Sequence, residues 1–213
     1  LDPGALVRLG VAAEAAMMAA TGGINTHRGA IWTLGLLSVA AGVTRGDSIA
    51  DSSVSAERLC AEAGHIARGI RSLASHAEPE DSNGQRARQR YGARGARDEA
   101  AAGFPSILAA LPAARALVTA DNDTRVVTVL LTILAEVDDT CVMHRGGPAA
   151  MKSLREGARA ILAKGGPGSP AGWLLYRDLC RYCLDAGVSP GGAADLTAAT
   201  LFLVSLENVA RTR

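Results

Sequence analysis

Apolar residues recur three and four positions apart along this chain, in segments separated by glycine, proline or short polar runs. This spacing gathers apolar side chains on one face of an α-helix, whereas a half-buried strand would alternate apolar and polar residues. Hydrophobic residues make up 48% of the 213 residues but aromatic residues only 3%, so the helices should pack closely through small side chains. We predict an all-α fold: a single globular bundle of roughly eight to ten helices around a central buried helix.

Two of the predicted helices are the most informative. The first begins at Asp2-Pro3, where an N-cap precedes a first-turn proline. The second covers Ile31 to Val39, and its apolar residues extend around most of its circumference, which predicts that it is the central helix. The predicted core-facing stripe of the first helix is Leu6, Leu9, Ala13 and Met17.

Charge and chain start limit the partners and the location that we expect. The formal net charge is +1, which gives no overall field for nucleic acid or for an anionic membrane. The longest uncharged stretch, Gly29 to Thr44, is shorter than the ~20 residues of a membrane span. Because the first residues lack a basic segment followed by an apolar block, no signal peptide is indicated. We predict a cytoplasmic protein with no nucleic-acid or membrane partner, whose alanine-rich helices would permit a homodimer.

The segment Thr21 to Trp32 has the composition of an anion site at a helix start. Two glycines allow a turn, and four side chains able to bind or donate follow directly before an apolar helix: Asn25, Thr26, His27 and Arg28. The free N–H groups and positive dipole of a helix N-terminus attract phosphate. The alternative, which the segment alone leaves open, is an ordinary helix start with Asn25 or Thr26 as N-cap.

Residues 75–100 are predicted to form a polar, arginine-rich loop. Its arginines are Arg86, Arg88, Arg90, Arg94 and Arg97. On a helix, four of them would share one face, but Gly92 and Gly95 argue against a rigid helix. A flexible segment with guanidinium groups suits phosphate, which arginine binds through two parallel hydrogen bonds. A solvated basic surface remains the alternative.

Three carboxylates, Glu136, Asp138 and Asp139, directly follow the strongly apolar run from Val126 to Val137. On a continuous helix, Glu136, Thr140 and His144 would share a face. Carboxylates beside a buried run are costly unless they are paired, hydrated or bound to a cation. One or two of them together with substrate phosphates could hold Mg²⁺. A solvated helix end is the alternative.

A pair of glycines stands at or just before three predicted helix starts. The pairs are Gly22-Gly23, Gly146-Gly147 and Gly191-Gly192, and Ser189 is the predicted cap of the last helix. Three such N-termini, if they converge, would form a polyanion pocket from backbone N–H groups.

Together these segments resemble the triphosphoribosyl-dephospho-CoA synthase family. The family usually has Lys, Gly and Asn where this chain has Arg28, Asp98 and Cys141. It also has an upstream segment with a Pro-Lys-Pro-Gly-like motif, so we expect residues 1–213 to be one catalytic domain that lacks this N-terminal segment. The matching stretches are residues 21–30, residues 90–97 with Glu99-Ala100, residues 136–147 and residues 189–196.

The resemblance implies a transferase that joins ATP and 3′-dephospho-CoA. A ribose hydroxyl of dephospho-CoA would attack C1′ of the ATP ribose, adenine would leave, and the product would be 2′-(5″-triphosphoribosyl)-3′-dephospho-CoA. This product supplies the prosthetic group of an acyl carrier protein, in malonate decarboxylase by preference or in citrate lyase. A non-catalytic nucleotide-binding relative, or a helical ADP-ribosyl or nucleoside hydrolase, remains an alternative.

The resemblance also implies roles for individual residues. An Asp139→Asn variant should lose adenine release and keep its fold. The candidate catalytic residues are His27, Glu136, Asp139 and His144, and the candidate Mg²⁺ ligands are Glu136, Asp138 and Asp139. The candidate nucleotide-binding residues are Gly22, Gly23, Asn25, Thr26, Arg28, Arg90, Tyr91, Arg94, Arg97, Arg145, Gly146, Gly147, Ser189, Gly191 and Gly192.

Overall fold

The computed structural model describes residues 2–46, 55–73, 83–118 and 120–211. These ranges contain ten helices and no strand, which confirms the predicted all-α fold. The helices are α1 (Pro3–Ala20), α2 (Arg28–Gly46), α3 (Ala56–Leu73), α4 (Asn83–Tyr91), α5 (Ala96–Ala101), α6 (Pro105–Ala116), α7 (Asn122–Leu134), α8 (Thr140–Ala163), α9 (Pro170–Asp185) and α10 (Gly191–Arg211).

Helix α10 occupies the centre of the bundle. It packs against α2, α3, α6, α7 and α8, and its buried positions include the small residues Ala193, Ala199 and Thr200. Small side chains let several neighbours approach one helix closely. The prediction that the second helix is the central one is therefore wrong. Helix α2 buries Leu36, Leu37 and other residues of one face, but its Trp32 is only half-buried.

Helix α1 lies on the outside of the bundle, against α2 and α3. Its predicted start is confirmed, since the Asp2 carboxylate accepts a hydrogen bond from the Gly4 N–H at 2.9 Å. Its predicted core-facing stripe is confirmed only in part: Leu6 packs against the core and Met17 is half-buried, but no residue of α1 is fully buried and Leu9 is 66% exposed. An apolar stripe predicts which face of a helix can be buried, but burial also requires another helix that packs against that face.

Two helices in the described part of the chain, α1 and α10, are long and apolar enough to cross a bilayer by length and composition alone. Helix α10 meets this criterion because it is the core helix of the bundle. Length and composition are weak evidence for a membrane span, and the absence of a membrane partner remains a prediction.

The predicted arginine-rich loop is helical over much of its length. Within residues 75–100, the structure shows α4, a turn and most of α5, whereas residues 74–82 lie outside the described ranges. The loop prediction is wrong for α4 and α5 because Ala87 and Ala100 fill buried positions, giving each short helix a face to pack. Gly92 ends α4 with φ 68°, and its N–H bonds the Arg88 carbonyl at 2.8 Å.

The C-terminal half of α10 is joined to α3 and α6 by a buried ion pair. Glu207 is only 5% exposed, and its carboxylate accepts hydrogen bonds from Arg115 Nε at 3.0 Å and from Arg115 Nη2 at 2.6 Å. The N–H of Ala56, at the start of α3, bonds the same carboxylate at 2.8 Å. Arg115 also binds Glu57 at 2.8 Å. Burial acts to raise the pKa of Glu207, but the bonds from Arg115 and Ala56 outweigh it and the pKa is lowered.

Candidate functional site

The N-termini of α2, α8 and α10 meet at one end of the bundle. The first turn of α2 contacts the first turn of α10, because Gly29 lies against the Asp195 carboxylate. The residue that caps α8, Asp139, also bonds the first turn of α10. The predicted convergence of helix starts thus involves α2 and α10, with the Asp139 end of α8 as the third partner.

Asp139 holds two helix N-termini together. It is 1% exposed, and its Oδ1 accepts hydrogen bonds from the N–H groups of Cys141 at 2.9 Å and Val142 at 3.2 Å. Its Oδ2 accepts one from the N–H of Ala193 at 2.8 Å. Burial raises the pKa of Asp139, and these backbone hydrogen bonds oppose the rise. The carboxylate therefore fixes α8 and α10 relative to each other.

Asp195 is a second carboxylate in this cluster, on the first turn of α10. Burial raises its pKa to about 6, and the neighbouring charge of Asp139 adds to the rise. His27 and the N–H of Ala30, at the start of α2, lower it. Asp195 is half-buried, unlike Asp139, so its carboxylate combines a shifted pKa with access to solvent.

Glycines make the close approach of these helices possible. A methyl group at Gly29 would collide with Oδ2 of Asp195. At Gly191 it would lie 3.0 Å from the sulfur of Cys141, and at Gly192 it would lie 3.3 Å from the Asp139 carboxylate. These glycines are needed for contact between elements.

The segment before α2 forms a structured cap. Gly22 and Gly23 turn the exposed chain with φ values of 63° and 85°. The Asn25 side chain accepts a hydrogen bond from the Arg28 N–H at 3.2 Å, and the Thr26 hydroxyl lies 2.7 Å from His27 Nδ1. The His27 ring is exposed, and its charge affects Asp195.

Arg28 does not extend freely into the site. Its Nε lies 2.8 Å from the Glu14 carboxylate of α1. The predicted phosphate contact of Arg28 would require this ion pair to open or to be shared.

Helix α4 and the turn after it lie over the N-terminal half of α8. The Tyr91 hydroxyl lies close to Gly147, and Gly95 faces Thr140. The Arg90 guanidinium lies over the Tyr91 ring at 5.3 Å, whereas that of Arg97 lies over the Trp32 ring of α2 at 5.8 Å.

Other predicted nucleotide-binding residues face solvent around the same end. Arg94 is exposed on the turn after α4, and Ser189 is exposed before α10. His144 and Arg145 are exposed on the first turns of α8. Of these side chains, His144 and Arg145 lie on α8 itself, and Arg94 precedes Gly95, which faces Thr140 at the start of α8.

Helix α8 consists of two helical segments that meet at a kink. Gly147 has φ 69° and ψ −171°, a conformation that side-chain-bearing residues avoid. Pro148 begins the second segment, directly after the glycine pair that was predicted to precede a helix start. A methyl group at Gly146 would lie 2.8 Å from the Val188 side chain. The pair Gly146-Gly147 therefore shapes α8 and its contact with the chain before α10.

The three carboxylates predicted to bind Mg²⁺ have separate partners. Asp138 bonds Arg155 at 2.9 Å, and Glu136 bonds Arg159 at 2.9 Å. A break before Thr140 separates α7 from α8, so the predicted helical face of Glu136, Thr140 and His144 does not exist.

Among the described residues there is no group of three His, Cys, Asp or Glu side chains that could hold a metal ion. Asp139 is buried and accepts three backbone N–H bonds. As the predicted carboxylates stand, they do not fit a metal ion held by the protein alone.

A family model described as ATP:dephospho-CoA triphosphoribosyl transferase matches residues 3–213. The chain belongs to this family. The match includes every residue of the convergent helix starts, from the Gly22-Gly23 turn to Asp195. The resemblance identified from the four sequence segments is therefore confirmed, and the chain is a member of a transferase family.

Relatives within the family share the name "probable 2-(5''-triphosphoribosyl)-3'-dephosphocoenzyme-A synthase". One, from Azotobacter vinelandii, is 46% identical over 204 residues, which are 94% of this chain and 67% of that protein. Another, from Pseudomonas aeruginosa (strain UCBPP-PA14), is 43% identical over 210 residues, which are 97% of this chain and 68% of that protein.

A solved structure shares the fold of this family member. It is the crystal structure of an Archaeoglobus fulgidus protein described as a triphosphoribosyl-dephospho-CoA synthase. The TM-score is 0.56 at 17% identity, over 85% of this chain and 83% of the other. At this identity the likeness concerns the helical architecture alone.

Sequence reasoning missed Asp195 as a site residue. The sequence did offer a signal for Asp195, because this residue lies in the segment Ser189–Leu196 that matches the family, four residues after Gly191 at the start of α10. An isolated aspartate on an otherwise apolar helix start is not distinctive by itself. Its importance comes from contact with Gly29, which is distant in sequence.

Proposed function

We propose that this chain joins ATP and 3′-dephospho-CoA to form 2′-(5″-triphosphoribosyl)-3′-dephospho-CoA and adenine. The observation that carries the proposal is the family match over residues 3–213, which includes all the residues of the convergent helix starts. The relatives' shared name supports the same product.

The reaction is a pentosyl transfer at C1′ of the ATP ribose. The 2′-hydroxyl oxygen of dephospho-CoA forms a bond to C1′, and the bond from C1′ to adenine N9 breaks. Adenine leaves with the bonding electron pair and takes up a proton, while the attacking hydroxyl loses one. Positive charge develops on the ribose between these events, as in glycoside hydrolysis. The site must therefore position two nucleotides, accept one proton and balance the charge of the triphosphate.

The convergent helix starts suit the phosphate requirement. The partial positive charge of a helix N-terminus attracts phosphate oxygens, and here it acts although the N–H groups of Cys141, Val142 and Ala193 are already bonded to Asp139. Exposed Arg94 and Arg145 can add charge-assisted hydrogen bonds. His27, exposed before α2, is a candidate for proton transfer.

Mg²⁺ belongs in this proposal as part of the substrate, bound by the triphosphate of ATP. The predicted ligands Glu136, Asp138 and Asp139 engage other partners, so phosphate oxygens would have to supply most of the coordination. A cytoplasmic location and a homodimer, both expected from the sequence, are further parts of the proposal. The supply of an acyl carrier protein of malonate decarboxylase or citrate lyase is a further part that rests on the family resemblance.

One assay tests the proposed reaction. The protein is incubated with ATP and Mg²⁺, with and without dephospho-CoA, and free adenine and the coupled product are measured by chromatography and mass spectrometry. Adenine release that depends on dephospho-CoA and equals product formation supports the transferase. Equal release without dephospho-CoA would indicate a hydrolase, and ATP binding without any release would indicate a nucleotide-binding relative.

A further inference from the structure

We propose that Asp195 is the general base of the transfer, accepting the proton of the attacking 2′-hydroxyl. This inference depends on the proposed reaction and adds the residue that removes the proton. It is carried by the position of the carboxylate, at the contact between the first turns of α2 and α10.

The surroundings of Asp195 hold its carboxylate in one place. One oxygen, Oδ2, lies directly against Gly29, and the N–H of Ala30 interacts with the carboxylate from the first turn of α2. The helix that carries Asp195 is anchored two residues earlier, where Ala193 donates to Asp139. A carboxylate held both through its helix and through its own contacts is preorganised for proton transfer.

The other carboxylates at this end are engaged elsewhere. Asp139 is buried and accepts three backbone N–H bonds, so it cannot reach a substrate hydroxyl without releasing two helices. Glu136 and Asp138 each bind an arginine of α8. Asp195 is half-buried and has no arginine or lysine paired with it among the described residues. It is therefore the carboxylate best placed to accept a proton.

The charged and titratable neighbours agree with this role. The groups that act on Asp195 are Asp139 before α8 and His27 before α2, and Cys141 of α8 lies near enough to be affected by both acids. Arg145, one turn further along α8, counters the two acids at Cys141. Burial first, and then the charge of Asp139, raise the pKa of Asp195 to about 6, while His27 opposes the rise. The carboxylate remains ionised at neutral pH but is a stronger base than an ordinary aspartate.

The proton balance of the step is complete. The 2′-hydroxyl proton passes to the Asp195 carboxylate as the new C1′–O bond forms. The C1′–N9 bond breaks, and the departing adenine takes a proton from solvent. Asp195 then returns its proton to solvent, so the site is restored for the next cycle.

The test compares wild type with Asp195→Asn and with the control Asp185→Asn, an exposed aspartate at the end of α9. General-base catalysis is worth about 10²–10⁴-fold, so the kcat of dephospho-CoA-dependent adenine release should fall by about that factor in Asp195→Asn. ATP affinity by calorimetry, circular dichroism and thermal unfolding should stay close to wild type. The Asp185→Asn control should retain wild-type kcat.

A pH profile separates a base from a structural residue. Wild-type kcat should fall below about pH 6 as Asp195 becomes protonated. Asp195→Asn should lack this acid limb, and Asp195→Glu, which keeps a carboxylate, should restore part of the rate and the limb. A kcat for Asp195→Asn within about threefold of wild type, or an unchanged acid limb, would overturn the assignment while leaving the reaction intact. Absence of dephospho-CoA-dependent release in wild type would overturn the reaction itself, and with it the role of Asp195.

Discussion

The two ends of α10 each carry a buried carboxylate contact, but the contacts differ in what surrounds the charge. At the C-terminal end, Glu207 of α10 binds Arg115 and the first N–H of α3. At the N-terminal end, Asp139 bonds α10 and α8 through backbone N–H groups alone, and among the described residues no lysine or arginine is paired with it. The buried charge of Glu207 is therefore balanced by a cation, whereas the buried carboxylate of Asp139 is held by hydrogen bonds alone.

This difference appears in the pKa values. That of Glu207 is lowered, so its contribution to stability is present above about pH 4.5 and is lost as the pH falls through its folded value. The pKa values of Asp139 and Asp195 are raised in the folded protein. Their contribution to the free energy of unfolding therefore declines as the pH rises from 3.8 through these raised pKa values. The N-terminal end thus carries an electrostatic cost at neutral pH, as is common where residues are arranged for chemistry.

The Asp139→Asn variant should show the largest effect in this comparison. The amide oxygen can still accept from Cys141 and Val142, but the amide NH₂ then faces the N–H of Ala193. Two donors in contact should cost about 1–3 kcal/mol of unfolding free energy and displace the first turn of α10. Because Asp195 lies on that turn, kcat for adenine release should fall about 10²-fold.

Denaturant unfolding and adenine release measured on the same preparation test this prediction. The loss of stability expected here differs from the sequence-based expectation, in which Asp139→Asn keeps its fold. If Asp139→Asn were as stable as wild type and still inactive, Asp139 would act directly on substrate and not through α10.

A methyl group at Gly29 should have an intermediate effect. In Gly29→Ala the new group collides with the Asp195 carboxylate, so Asp195 must move. Overpacking of this kind costs about 1–3 kcal/mol, and the displaced base should lower kcat about tenfold. The matched control is Gly35→Ala on the same helix, where a methyl group meets no atom within 4 Å. That control should keep full activity and gain up to about 1 kcal/mol in stability from the better helix former. Equal activity in the two variants would contradict the expected dependence of kcat on the position of Asp195.

The Glu207→Gln variant should have the smallest effect on activity. Its amide NH₂ would face the Arg115 guanidinium, which costs about 2 kcal/mol at pH 7 because Arg115 keeps Glu57 as a partner. The stability difference from wild type should vanish as the pH falls through the lowered pKa of Glu207. Urea unfolding at several pH values measures this trend. Since the site lies about 21 Å away along α10, at 1.5 Å per residue from Ala193 to Glu207, kcat should be unchanged. A large loss of activity would show that the two ends of α10 are coupled.

Local signals predicted much of the fold. The structure contains three features that residues close together in sequence predicted: the Asp2-Pro3 helix start, the apolar run of α7 and the helix start after Gly146-Gly147. The apolar spacing also gave the fold class. The stripe of α1 was only partly correct because periodicity marks an apolar face, whereas burial requires a neighbouring element that the sequence does not identify.

The site was less predictable because long-range contacts build it. Asp139 was predicted as a catalytic residue or Mg²⁺ ligand, but its bond to Ala193 joins residues 54 positions apart. The sequence analysis placed Glu136 and Asp138 on a continuous helix. It therefore did not predict their ion pairs with arginines of α8, which depend on the break before Thr140. Asp195 acquires its importance only when α2 and α10 meet. The segments that carry the site were therefore predictable, but the partners of individual side chains were not.

The stacking of the Arg97 guanidinium on the Trp32 ring makes the fluorescence of this tryptophan sensitive to what binds at the site. The Trp32 indole N–H is buried and has no acceptor among the described residues, and the guanidinium lies over the ring one turn into α2. Phosphate that draws Arg97 away would alter both the polarity and the quenching around the indole. The second tryptophan, Trp173, is exposed on α9. In a Trp173→Phe variant, Trp32 would be the single tryptophan of the chain. Its fluorescence emission would then follow nucleotide binding in real time.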